Sequence, residues 1–154
     1  MNAVEPVLHA AQVVGAGLIA GALLVVTAAV IPSMRGMTLE TYVGLHQDMD
    51  RHVDRYLPWI GKGTVALSLA AVVLGSGGWV RVLAIAGLAM LATVIVTSEV
   101  RMAACNKAIA TWQPATLPVE AGDVVARWAR LNAVRTICAV AAFITFVVAA
   151  AIGS

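Results

Sequence analysis

Three polar stretches of this chain carry the side chains best suited to chemistry. His46 lies in the first stretch, at helical spacing from Tyr42 and Met49. An imidazole can act as a general base near neutral pH or ligate a metal or a haem iron. We consider His52 as a second candidate for such a ligand, although it falls nearer the polar side of the same segment. Both rings also have a simpler interpretation, because an amphipathic ring can pack its apolar body and satisfy its polar tip.

The second stretch continues an apolar run directly into charged and amide groups. Glu99 and Asn106 fall on one helical face about two turns apart, so they could face the same pocket. Arg101 points elsewhere unless the helix bends, but we include it with Glu99 and Asn106 as a candidate substrate-binding residue. Such groups are unfavourable in hydrocarbon. The alternative is an interfacial anchor in which Glu99 pairs with a nearby arginine.

The third stretch precedes the last apolar run and places Trp128, Asn132 and Arg135 along one helical face. Arg135 lies nearest to the hydrocarbon, where an unpaired guanidinium is most unfavourable. It could pair with Glu99, or it could hold an anionic substrate group, an oxyanion or a haem propionate. We therefore take His46, Asn132 and Arg135 as candidate catalytic residues and Trp128 as a candidate substrate-binding residue.

The composition excludes a water-soluble globule. Of the 154 residues, 61% are hydrophobic and only 12% are charged, and the mean hydropathy is +0.92, whereas about 25% of residues are charged in soluble domains. A net charge of +2 and an aromatic content of 5% do not match the basic footprint of a nucleic-acid-binding protein. The lipid bilayer is therefore the expected partner, and nucleic acid is not.

Four apolar runs approach the roughly 20 residues that a membrane-spanning helix needs. We predict an all-α fold, a four-helix transmembrane bundle with an amphipathic helix in the first loop, which forms a single integral membrane domain over residues 1–154. The expected spans are about 11–31, 57–74, 80–97 and 137–152, with the amphipathic helix at about 39–55 and a polar extension of the fourth helix at about 123–136.

The charges gather at one end of this bundle. All Lys and Arg residues except Arg81, and all Asp and Glu residues except Glu5, lie in or beside the first and third loops. Cytoplasmic loops are enriched in Lys and Arg. We therefore expect the first and third loops in the cytoplasm, both termini outside, and the plasma membrane as the location. Cys105 and Cys138 have no metal-type spacing, and the sequence does not fix their redox state.

The order of the motifs resembles the anthrone oxygenase-like family, small four-helix membrane proteins long catalogued as a domain of unknown function. The resemblance covers nearly the whole chain and begins with a glycine-rich first helix. Many relatives carry a histidine at the position of Asn132. The motifs in chain order are Ile31-Pro32, Leu45-His46-Gln47, Glu99-Val100-Arg101 with Asn106, Thr111-Trp112, Arg127-Trp128 with Asn132, and Arg135-Thr136.

This resemblance implies an oxidoreductase, a monooxygenase that converts an anthrone to an anthraquinone in a pocket at the cytoplasmic end. It implies a small aromatic or otherwise apolar substrate and molecular oxygen as the co-substrate, and it requires no bound cofactor. His46 would be the base, Asn106 and Asn132 would orient the substrate, and Arg135 would stabilise the developing oxyanion.

Two alternatives keep the same fold. In the first, the chain is a haem-dependent membrane redox enzyme with His46 or His52 as the axial ligand and Arg101, Arg127 or Arg135 on the propionates. In the second, it is a non-enzymatic binding or transport subunit in which Glu99 is a proton-coupled site. The Gly17-x-x-x-Gly21 spacing permits close helix approach within one chain and also permits a homo-oligomer.

Overall fold

The computed structural model describes residues 4–53, 55–74 and 77–153. All regular secondary structure within these ranges is helical. Within the same ranges, four helical stretches are long and apolar enough to cross a membrane. The chain is therefore an integral membrane protein of the all-α class, as its composition predicts. The four stretches are Glu5–Met34, Leu57–Leu74, Trp79–Thr111 and Ala121–Gly153.

Two of the four stretches contain a π-helical segment. The first consists of α1 (Val4–Val25), the segment π1 (Val26–Val30) and α2 (Ile31–Met34). The third consists of α5 (Trp79–Val96), the segment π2 (Thr97–Met102) and α6 (Ala103–Thr111). The remaining helices are α3 (Leu39–Val53), α4 (Leu57–Leu74) and α7 (Ala121–Gly153). Segments of this kind often occur at functional sites.

The position of π1 follows from Pro32. A proline has no backbone N–H, so the carbonyl of Ala28 loses the donor that an α-helix would supply. The helix widens just before this point, and the N–H of Ile31 donates to the carbonyl of Val26, five residues earlier. Nothing in the local sequence accounts for π2 in the same way.

The amphipathic helix α3 forms as its spacing predicts. Thr38 caps it, since the Thr38 hydroxyl oxygen accepts the N–H of Thr41 at 3.4 Å. Its apolar face buries Tyr42, Val43 and His46. The same spacing predicts Val53 and Tyr56 on this face, but Tyr56 does not follow it, because its side chain is 62% exposed.

The chain turns immediately after α3, which explains that error. The N–H of Tyr56 donates to the carbonyl of Val53 at 3.2 Å in a tight turn, so the helical stripe does not continue through this point. The predicted end of the amphipathic helix includes Asp54, which lies outside the described residues.

The third loop, between the third and fourth membrane-spanning helices, contains far more helix than the apolar runs indicate. Instead of a loop of about 25 residues, α6 runs to Thr111 and α7 starts at Ala121, so only 112–120 connect them. A second core cluster at this end explains why these polar turns are helical. It buries Met102, Cys105 and Ile109 against Trp128. This cluster also holds Val43 and therefore fastens α3 to the end of the bundle.

Candidate active site

Two cavities lie side by side at the end of the bundle that carries α3. The larger, of about 410 Å³, is bounded by α1, π1, α3 and α7, and we call it the His46 cavity. The smaller, of about 340 Å³, lies between α4 and the α5–π2 segment, and we call it the Glu99 cavity. Leu57, Asn106 and Arg135 line both cavities and therefore form the boundary between them.

His46 is held in a fixed setting on α3. Its side chain is buried, with 3% of its surface exposed. Its ring meets the Trp128 indole edge-on, with 4.4 Å between centroids, and stacks with Tyr42 at 6.0 Å. Its Nε2 atom lies 3.4 Å from Oδ2 of Asp50, one helical turn later. Nε2 makes no hydrogen bond among the described residues, so Asp50 is a carboxylate at ion-pair distance and does not select a tautomer of the ring.

Tyr42 adds a protonated phenol beside this pair. Its hydroxyl is buried and has no hydrogen-bond partner among the described residues. Burial, together with the negative charge of Asp50, raises the pKa of Tyr42 above its ordinary value. The phenol is therefore neutral at physiological pH, so it does not add a second negative charge next to His46.

The indole of Trp128 fixes an amide at the boundary of the two cavities. Its Nε1 donates to Oδ1 of Asn106 at 2.8 Å. The amide nitrogen of Asn106 is thereby directed away from the indole. Since Asn106 lines both cavities, this NH₂ group can donate to a ligand in either of them.

A chain of hydrogen bonds orients Asn132. The side-chain nitrogen of Asn132 donates to the hydroxyl of Thr27 at 2.9 Å, and the Thr27 and Thr136 hydroxyl oxygens are 2.7 Å apart. Thr136 donates its own proton to backbone carbonyls, that of Asn132 at 2.9 Å and that of Leu23 at 3.2 Å. The Thr27 hydroxyl is therefore the donor to Thr136. This chain ties π1 to α7 and fixes a buried amide at the wall of the His46 cavity.

Arg135 places a guanidinium at the boundary between the cavities. The side chain is half-buried, and its Nη1 donates to the Sδ atom of Met102 at 3.0 Å. Met102 lies on π2, so this contact connects α7 to the second π-helical segment. The position gives a cation that can reach an anionic group in either cavity.

The structure brings most of the predicted site residues together, but not all of them. His46, Asn106, Trp128, Asn132 and Arg135 line the His46 cavity, and Glu99 joins Asn106 and Arg135 in the neighbouring one. Arg101, Arg127 and His52 are exposed and lie outside both cavities. The Nδ1 atom of His52 lies 2.8 Å from the carbonyl oxygen of Asp48. Of the two histidines considered as haem ligands, His46 is thus the one that faces a cavity.

Four residues that build or support the site were not identified from the sequence: Asp50, Thr27, Met102 and Gln47. Asp50 could have been found from its i,i+4 spacing to His46, which places the two side chains on one helical face. Thr27 gave no signal, because a single threonine in an apolar run has no recognisable partner. Helical spacing places Met102 on the face that carries Glu99 and Asn106, but it does not indicate the contact with Arg135.

Helical spacing predicts Gln47 on the solvated face of the amphipathic helix, and this prediction was wrong. Its Nε2 donates to the carbonyls of Ile109 at 2.7 Å and Trp112 at 2.9 Å. The spacing within α3 gives no sign of this contact, because the end of α6 is far away in the sequence. The contact holds α3, and with it His46, against the bundle.

The described residues contain no group of three or more His, Cys, Asp or Glu side chains that could hold a metal ion. His46 is paired with a single carboxylate, that of Asp50. Within the described ranges, the donor set at the cavity is therefore that of an acid–base pair together with amides and a guanidinium.

These features define a class: a small all-α membrane protein with an apolar cavity that faces a buried histidine, two amides and an arginine. A family model described as anthrone oxygenase matches residues 55–145, more than half of the 154-residue chain. The chain belongs to this anthrone oxygenase-like family. Among curated proteins and solved structures, nothing matches it. The matched region includes Asn106, Asn132 and Arg135, whereas His46 lies before it.

Proposed function

We propose that this chain is a membrane-embedded oxygenase that oxidises a flat, apolar aromatic substrate of the anthrone type in the His46 cavity. The observation that carries this proposal is a buried histidine at a cavity wall with a carboxylate oxygen 3.4 Å from its Nε2 atom. The cavity volume of about 410 Å³ falls within the range of small-molecule sites. The family membership of the chain supports the same reaction type.

In the proposed reaction, the imidazole of His46 removes one benzylic proton from the substrate. The resulting carbanion transfers electrons to dioxygen, and a C–O bond forms to give a peroxide that takes a proton back from the imidazolium. Loss of water then leaves a carbonyl. One methylene group and one dioxygen molecule thus give one carbonyl and one water, and the histidine returns to its neutral state.

The neighbouring side chains have distinct roles in this proposal. Asp50 orients the imidazole and stabilises its protonated form. The carbanion delocalises its charge onto the existing carbonyl oxygen of the anthrone, which becomes an enolate. Arg135 and the amide groups of Asn106 and Asn132 are donors that can stabilise this oxyanion.

The bilayer suits both reactants, because a flat aromatic molecule and dioxygen are apolar. We propose that the cavity end faces the cytoplasm in the plasma membrane, since Lys and Arg gather there. A Gly77→Cys variant without the native cysteines should react with a membrane-impermeant maleimide added to whole cells, whereas Gly122→Cys should be protected. The reverse labelling pattern would overturn this orientation.

Oxygen uptake by the detergent-purified protein tests the proposed reaction, with a hydroxylated anthrone as the substrate and spontaneous oxidation subtracted. His46→Gln should lower kcat by about 10²- to 10⁴-fold, the usual contribution of a general base. His52→Gln is the matched control and should retain the wild-type rate, because His52 lies outside both cavities. Undiminished turnover by His46→Gln would refute the role of this base.

An ultraviolet-visible spectrum of the same sample, before and after dithionite, separates this chemistry from haem chemistry. We expect no Soret band. A Soret band that disappears in His46→Gln would make His46 an axial ligand and would replace the proposed mechanism.

A further inference from the structure

The Glu99 cavity has no part in the proposed proton abstraction, yet it is lined by charged groups. Lys62 of α4 and Arg135 of α7 contribute two cations, whereas Glu99 of π2 contributes one anion. Lys62 is the sixth residue of its helix, and its exposed side chain lies at the charged end of the bundle. With two cations and one anion, the lining of the cavity carries an excess of positive charge.

Each of these two cations makes a contact for which an oxyanion could compete. The ammonium of Lys62 lies 5.3 Å from the centroid of the Trp59 ring, and Trp59 is itself exposed. The Nη1 atom of Arg135 donates to the thioether of Met102. A thioether is a weak acceptor, so a carboxylate would compete effectively for the same proton.

The two cavities are continuous in their lining. Leu57, Asn106 and Arg135 belong to both, so the walls of the His46 cavity and the Glu99 cavity meet at these side chains. A molecule that occupies both cavities would place its aromatic rings beside His46 and would have to pass these three side chains. Its far end then lies next to Lys62 and Arg135.

We infer that the Glu99 cavity is a subsite for an anionic group, a carboxylate carried by the same substrate whose aromatic body lies in the His46 cavity. This inference rests on the proposed function and narrows its substrate to aromatic carboxylates. Lys62 acts as a specificity-determining residue, and Arg135 binds at the boundary. The phosphate of an anionic lipid has the same oxyanion chemistry and is the competing source.

A matched pair of ligands tests the subsite: an anthrone that carries a carboxylate, and its methyl ester. Wild-type protein should prefer the acid over the ester by about tenfold in kcat/KM, which corresponds to about 1.4 kcal/mol. Lys62→Gln should lower kcat/KM for the acid to that for the ester and so abolish the preference, whereas Lys62→Arg should keep it. Lys107→Gln is the matched control, because Lys107 is exposed and lies outside both cavities.

The outcomes separate the subsite from the reaction. If the ester and the acid are turned over equally in a His46-dependent manner, the subsite is refuted and the proposed function stands. If neither is turned over, quenching of tryptophan fluorescence by the two ligands measures binding alone. Preferential binding of the acid that is lost in Lys62→Gln then supports the subsite, and equal or absent binding refutes it.

Nanodiscs of defined lipid composition distinguish a substrate carboxylate from a lipid phosphate as the oxyanion. Protein in phosphatidylcholine should show the full preference for the acid, and replacing a third of the lipid with phosphatidylglycerol should leave it unchanged. If phosphatidylglycerol instead competes with the acid in wild type but not in Lys62→Gln, the occupant is a lipid phosphate and the assignment of a substrate carboxylate is overturned.

Discussion

Gln47 is expected to hold the base in place, although it lies outside the reacting groups. Its Nε2 atom donates to the carbonyls of Ile109 and Trp112, at 2.7 and 2.9 Å, and so ties α3 to the end of α6. His46 is the preceding residue on α3. Substituting Gln47 should therefore loosen α3 and displace the imidazole from the cavity wall.

The size of the effect follows from the two hydrogen bonds. Each contributes about 0.5–1.5 kcal/mol net, so Gln47→Ala should make local opening of α3 easier by about 1–3 kcal/mol. Since 1.4 kcal/mol is a factor of ten, the open population should rise by roughly 5- to 150-fold. Gln47→Glu should have a larger effect, because its carboxylate cannot donate and would face two carbonyl oxygens.

Hydrogen exchange measured by mass spectrometry is the appropriate assay, because the expected change is local opening rather than global unfolding. Amides in 39–53 should exchange faster in both variants, and those around the buried Phe146 of α7 should not change. The variant with the faster exchange in α3 should also have the lower turnover of the anthrone. Gln113→Ala provides the control, since Gln113 is an exposed glutamine in the 112–120 connection.

Two results would refute this reasoning. Wild-type exchange and turnover in Gln47→Glu would mean that the two hydrogen bonds do not restrain α3. Faster exchange in α7 to the same degree as in α3 would mean that the substitution destabilises the whole bundle, and that the position of His46 is not specifically controlled by Gln47.

Two further predictions concern the packing of the bundle and the orientation of the amide. Gly87→Ala should lower stability by about 1–3 kcal/mol, because an added Cβ would overlap the ring of Phe146, whereas Gly63→Ala meets nothing within 4 Å and should stabilise by up to about 1 kcal/mol. Thermal unfolding in detergent compares them, and equal midpoints would contradict this packing argument. Thr27→Val removes the acceptor of the Asn132 amide and should lower kcat, with about 1 kcal/mol of destabilisation. Thr27→Ser should behave as wild type, and full activity in Thr27→Val would show that this hydrogen bond does not position the amide.

The fold class could be predicted because bilayer thickness sets the length of apolar runs and helical periodicity sets the face of α3. The ends of the helices could not be predicted in the same way. Hydropathy marks the part of a helix that lies in hydrocarbon, whereas α6 continues to Thr111 because Cys105 and Ile109 are buried against Trp128 beyond the apolar run. That second core forms where α2, α3, π2, α6 and α7 meet, so no single segment reveals it.

The candidate site shows the same division between local and long-range information. Trp128, Asn132 and Arg135 could be placed on one face from spacing alone, and they line one cavity. The partner of Asn132 is Thr27, which lies 105 residues earlier in the chain. A threonine in an apolar run gives no local pattern for such a contact, and the π-helical geometry that presents it is set by Pro32 through the backbone.

The proposed base, His46, lies on α3 rather than on a membrane helix, and this placement has a physical reason. An imidazole that is protonated during turnover needs a carboxylate nearby, and Asp50 would be strongly unfavourable inside hydrocarbon. On an amphipathic helix at the end of the bundle, Asp50 is only half-buried while His46, one turn earlier, is buried against Trp128. The membrane helices then supply amides tied by hydrogen bonds and the half-buried guanidinium of Arg135, which contacts Met102. If this division of roles is correct, oxygenation by this fold depends on α3 staying closed, and the hydrogen bonds of Gln47 serve catalysis through His46.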